Sequence, residues 1–149
     1  PCDVIFAAFN TEDNSENGSD ALSKLIEDQY EQIRMVNLKC IGWKGQPLTI
    51  YGNNSEAVLR NSLAGGLELQ YADRDLGADE KAFYEEKMSA VVLFQDACLT
   101  NPETNSILNT TRDTADNLDF TMLDDIAKKL AAWVIECGDE PLDSYAVYW

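Results

Sequence analysis

The chain of 149 residues is 45% hydrophobic and 26% charged, which suits one globular domain over 1–149 and excludes a disordered or low-complexity polymer. Its 27 acidic and 11 basic residues give a net charge of −16, which opposes nucleic acid and anionic membrane surfaces and favours a basic partner. The chain has no histidine, so its composition excludes Ser-His-Asp and Cys-His catalysis and ordinary zinc sites.

Asp3-Val-Ile-Phe-Ala-Ala-Phe9 is a short apolar run that fits a buried strand or an opening helical turn, and Asn10 to Gly18 is a polar, acidic loop. Ser19 and Asp20 are good helix caps. Leu22, Leu25, Ile26, Tyr30, Ile33 and Val36 then recur at helical spacing, which predicts a helix over about 19–37. Gly42-Trp43-Lys44-Gly45 reads as a turn. Pro47 opens a short strand, Leu48 to Tyr51, closed by Gly52.

A second helix is expected over 55–64, stopped by Gly65-Gly66. Leu67, Leu69 and Tyr71 alternate with polar residues as in a half-wet strand. Asp73 to Gly77 reads as a loop. The run from Ala78 to Leu99 predicts a long helix, although its apolar stretch at 91–94 also suits a strand. Pro102 to Asn117 reads as a long loop holding one helical turn at 105–108. A final helix opens at Thr121, with Asp124 completing a near capping box, and Gly138 ends it. Tyr145 to Trp149 forms a terminal strand or an aromatic tail. The class expected is α+β and helix-dominated, about four helices with a few short strands; the alternative is an all-α bundle.

Four widely spaced cysteines, Cys2, Cys40, Cys98 and Cys137, predict two disulfides that staple the domain. Similar loop lengths favour Cys2–Cys40 with Cys98–Cys137, and the crossed pairing Cys2–Cys98 with Cys40–Cys137 is nearly as plausible. Three sequons place glycans on Asn17, Asn53 and Asn109. A chain starting at Pro1 without methionine suggests a processed form whose signal peptide has been removed. Together these features predict an acidic, secreted, extracellular glycoprotein. No apolar run approaches the length of a membrane span, so no membrane insertion is expected.

No catalytic motif stands out, and neither a cofactor nor a bound metal is expected. Asp13 to Gly18 resembles the first half of a calcium loop but has Lys24 where a bidentate Glu is required. Asp73 to Asp79 and the group Asp113, Asp116, Asn117 and Asp119 are weaker still. Trp43, in a Gly-flanked turn, and Tyr145, Tyr148 and Trp149 at the terminus are candidate contact residues. The main functional expectation is a non-enzymatic binding or recognition module for a protein or a small apolar ligand. The alternatives are a carboxylate-dependent hydrolase, which requires a concave site with at least two buried acids of separated pKa, and a calcium-dependent extracellular module.

Overall fold

The computed structural model describes residues 3–9, 18–52, 57–64, 67, 69–72 and 76–139. Its centre is a four-stranded mixed sheet of β1 (Arg34–Lys39), β2 (Leu48–Tyr51), β3 (Leu69–Ala72) and β4 (Ser89–Phe94), in the order β1-β4-β2-β3. β1 runs parallel to β4 and β2 parallel to β3, while β2 and β4 are antiparallel. The helices are α1 (Gly18–Ile26), α2 (Ala57–Ala64), α3 (Glu80–Glu85), α4 (Ala97–Thr100), α5 (Pro102–Asn105) and α6 (Phe120–Asp139). This is an α/β fold, which overturns both the helix-dominated α+β expectation and the all-α alternative.

The interior strand β4 explains the layering. Ala90 to Phe94 are all buried, as in a strand covered on both faces. Val91 and Leu93 join Leu48 and Ile50 on one face, packed with Leu59 and Leu63 of α2 and Ile126 of α6. The Trp133 indole of α6 donates to Ser62 Oγ of α2 at 3.0 Å and ties these two helices together. Val92 and Phe94 point to the other face, against Tyr51, Trp43 and Cys98. A third cluster joins Ile26 of α1 and Met35 of β1 to Ala82 and Phe83 of α3.

Two long helices expected from periodicity are each divided. The first ends at Ile26, and Arg34–Lys39 forms β1 instead of its last turns. Ile33 and Val36 fit a helical stripe, but Met35 and Asn37 alternate into the core, and parallel pairing with β4 satisfies the backbone. The second breaks at Lys87, whose φ of 61° is left-handed. The Lys87 N–H donates to the Tyr84 carbonyl at 2.9 Å and the Met88 N–H to the Phe83 carbonyl at 2.9 Å, a Schellman closure of α3. The chain then enters β4.

The short strand at 48–51 and the helix ending at Ala64 form where the sequence places them. α6 also forms, but Asp119 caps it: its Oδ1 accepts from the N–H groups of Thr121 at 3.0 Å and Met122 at 3.1 Å. The loop expected after Pro102 opens instead with α5, capped by Asn101. Residues 3–9 adopt no regular secondary structure, and Phe6 is 95% exposed.

No disulfide is present among the described residues, which removes the expected staples of the fold. Cys98 is a buried thiol at the start of α4, and its Sγ approaches the Cys40 carbonyl at 3.5 Å. Cys2 and the side chain of Cys137 lie outside the described residues. No helix among the described residues is long and apolar enough to cross a membrane.

Candidate active site

Parallel strands place their carboxyl ends, and the loops that follow, on one edge of a sheet, where α/β folds bind ligands. β1 and β4 share that edge. After β1 the chain passes through Cys40 (φ 47°) and Gly42 (φ 97°) into Trp43. A Cβ at Gly42 would stand 2.9 Å from the Leu123 side chain, so both its backbone angle and its packing against α6 require glycine.

Gln95, directly after β4, holds this loop. Fully buried, it accepts from the Trp43 N–H at 2.7 Å and donates to the Trp43 carbonyl at 3.2 Å and the Gln46 carbonyl at 2.8 Å. Asp96 accepts from the Tyr51 hydroxyl. Burial pushes the Cys98 thiol up to about 12, and the neighbouring Cys40 and Asp113 add to the rise while a hydrogen bond from Trp43 opposes it. A thiol that keeps its proton is a poor nucleophile at neutral pH.

Beside this edge runs a groove of about 590 Å³, within the range of small-ligand sites. One wall is β1, whose outer edge pairs with no strand among the described residues. The other is the irregular segment 3–9, and Tyr30 and Phe83 add aromatic surface. The polar residues lining it include Arg34, Asn37, Lys39 and Asp79.

The acids at the start of α3 give the groove its chemistry. Glu80 is fully buried and doubly held: Oε1 accepts from the Ala78 N–H at 3.0 Å and Oε2 from Asn37 Nδ2 at 3.4 Å. It locks α3 to β1. Asp79 lines the groove itself, and its Oδ1 is buried with no hydrogen-bond partner among the described residues. A buried carboxylate oxygen without a donor is costly.

The residues singled out from sequence are mostly placed elsewhere. Trp43 is 8% exposed and packs with Tyr51 and Phe94. Tyr145, Tyr148, Trp149, Asn17 and Asn53 lie outside the described residues. Asn109 is exposed in a left-handed turn (φ 58°), with its N–H donating to Asp113 Oδ2 at 3.1 Å. In the third acidic loop, Asp113 and Asp119 are therefore occupied by backbone donors. Most of Asp13 to Gly18, and 73–75 of the second acidic loop, lie outside the described residues. From sequence, Asp79 is the end of that loop and, with Glu80, the acidic start of the helix expected over 78–99, and not a site residue. The composition signal that could have raised it is an Asp-Glu pair at a helix start beneath an apolar run, which is common in soluble proteins.

The sequence matches Peptidase family M28 over residues 1–134. The chain belongs to this family. Among solved structures, an aminopeptidase from Aneurinibacillus sp. strain AM-1 shares the fold, with a TM-score of 0.60 and 22% identity. The match covers 85% of this chain and 31% of the aminopeptidase, so this chain spans under a third of that protein's length. No curated protein matches. Family membership overturns the expectation of a non-enzymatic binding module and agrees better with the hydrolase alternative; nothing in the fold or the comparisons supports the glycoprotein reading.

Aminopeptidases commonly clamp the attacking and leaving oxygens between two metal ions, held in zinc sites by His, Asp and Glu. The residues here do not fit such a pair. The sequence has no histidine. Among the described residues no three His, Cys, Asp or Glu are grouped to hold an ion. The residue ending β1 is the cation Lys39.

Proposed function

We propose that this chain is the peptide-handling unit of a hydrolase that cleaves peptide bonds. The match to a peptidase family across residues 1–134 carries the reading, and the groove beside β1 supplies a place for the substrate. An extended peptide lies in the groove along β1, the edge strand of the sheet among the described residues. Tyr30 and Phe83 supply apolar surface for its side chains.

Asp79 is the reacting acid. Its carboxylate takes a proton from a water molecule as the water oxygen attacks the scissile carbonyl carbon, and returns that proton to the departing amine nitrogen. Glu80, held by Asn37 and Ala78, positions Asp79 by fixing the first turn of α3. Of the two buried acids expected for a carboxylate-dependent hydrolase, Glu80 alone is fully buried, while Asp79 is half-buried and lines the groove.

The test is incubation of the purified chain with a mixture of short peptides, followed by mass spectrometry of the products. Fragments that increase with time and enzyme concentration support the reading. Intact peptides after prolonged incubation at high enzyme concentration, with the chain still folded, overturn it.

A further inference from the structure

We infer that this chain carries no zinc-type metal centre of its own, so that any hydrolysis it performs proceeds without a tightly held divalent ion. This goes beyond the proposed function, which is silent on metal dependence, and it rests on the donors. Zinc prefers imidazole and thiolate, with carboxylates in a supporting role. Imidazole is absent from the whole sequence. Of the thiols, Cys98 is fully buried, approaches the Cys40 carbonyl at 3.5 Å and does not line the groove, so it is not presented to an ion there.

The carboxylates at the carboxyl edge of the sheet are engaged elsewhere. Asp96 receives the Tyr51 hydroxyl, Asp113 the Asn109 N–H and Asp119 the first turn of α6. In the groove, Glu80 spends one oxygen on Ala78 and the other on Asn37. Lys39, at the end of β1 and lining the same groove, is a cation and supplies no donor to a metal ion. The acids that remain are oxygen donors, which suit magnesium, calcium or manganese with weaker, hydrated binding rather than zinc.

The test uses the whole chain, fully reduced so that Cys2, Cys40 and Cys137 are all available as thiols. It is loaded with excess zinc chloride, desalted and measured for bound zinc by atomic emission, with melting curves recorded in zinc and in chelator. The inference predicts less than about one zinc per ten chains and melting temperatures that agree within about 1 °C, since an ion held by the folded state alone must raise its stability. One or two ions retained per chain, with a melting temperature that falls on chelation, would overturn it. Peptide cleavage with and without chelator separates this claim from the functional one. Cleavage that persists in chelator supports both. Cleavage abolished by chelator and restored by zinc sinks the inference and leaves the hydrolase reading standing. Absent cleavage together with absent zinc removes the hydrolase reading and leaves the inference supported.

Discussion

Asp79→Asn separates a working acid from a structural one, because stability and activity are expected to move in opposite directions. In the folded chain Asp79 Oδ1 has lost water without gaining a donor among the described residues, a cost of about 1–3 kcal/mol for a buried polar group. The amide keeps the shape and removes the charge, so much of that cost is relieved. Against this, Asp79 stands just before α3, where a negative charge near the first N–H groups contributes about 0.5 kcal/mol, and its side chain makes no capping hydrogen bond that the change could break. The balance is a gain of about 1 kcal/mol, or a melting temperature roughly 2–4 °C higher for a chain of this size. Hydrolysis should fall by about 10²–10⁴, the usual worth of a positioned general base. Calorimetry and a peptide-cleavage assay on the same preparation read both quantities. A variant that melts several degrees lower and cleaves in proportion to its folded fraction would refute the reasoning, because Asp79 would then be a structural residue.

Gln95→Leu removes three hydrogen bonds to the Trp43–Gln46 loop while keeping the volume, so urea denaturation should show a loss of about 3 kcal/mol; a loss under 1 kcal/mol would mean the loop is held by packing alone. Lys87→Gly places the residue that tolerates a left-handed C′ position best, and relief of strain against backbone entropy should leave stability unchanged or up to about 1 kcal/mol higher by the same assay. Cys98 has an ordinary value of 9.0 and is pushed up to about 12 when folded, so above pH 9 the unfolded chain releases a proton that the folded chain keeps. This contribution to stability is complete below pH 9 and is lost as the pH rises toward 12, which Cys98→Ala should flatten in a stability–pH profile.

The legible parts of the fold were those whose signal is local. Pro47 and Gly52 bracket β2, and the apolar face of α6 extends over several turns, so neither element depends on a distant partner. β1 was hidden, and β4 legible only as an option at 91–94, because both lie in apolar stretches whose residues also satisfy helical spacing. What decides β1 and β4 is their pairing with each other, across about fifty residues of sequence. The break between α3 and β4 rests on a lysine in a left-handed conformation, where glycine would have been the readable signal. Cysteine spacing misled for a similar reason. Loop lengths favoured bridges to Cys2 and Cys137, whereas the parallel pairing of β1 and β4 carries Cys40 and Cys98 to the same edge of the sheet.

The candidate site was less legible than the fold. The absence of histidine, read at the outset, does bear on the chemistry, since it is what separates this chain from an ordinary zinc peptidase centre. Asp79 and Glu80 could not be distinguished from the other 25 acids by composition. Their distinction comes from Asn37 on β1, which is brought beneath α3 by the sheet, and from the groove wall supplied by residues 3–9. Trp43 shows the converse: flanking glycines suggested an exposed contact, but Gln95 draws its backbone inward and buries the ring.

The groove is the centre of the account, and peptide titration followed by amide NMR tests it most directly. A short peptide added to the isotope-labelled Asp79→Asn chain, which should bind without turning over, is expected to shift the amides of Asn37, Lys39 and residues 79 and 83 in a saturable way. Saturable shifts confined to α2 and α6, on the opposite face of the sheet, or no shifts at millimolar peptide, would contradict it.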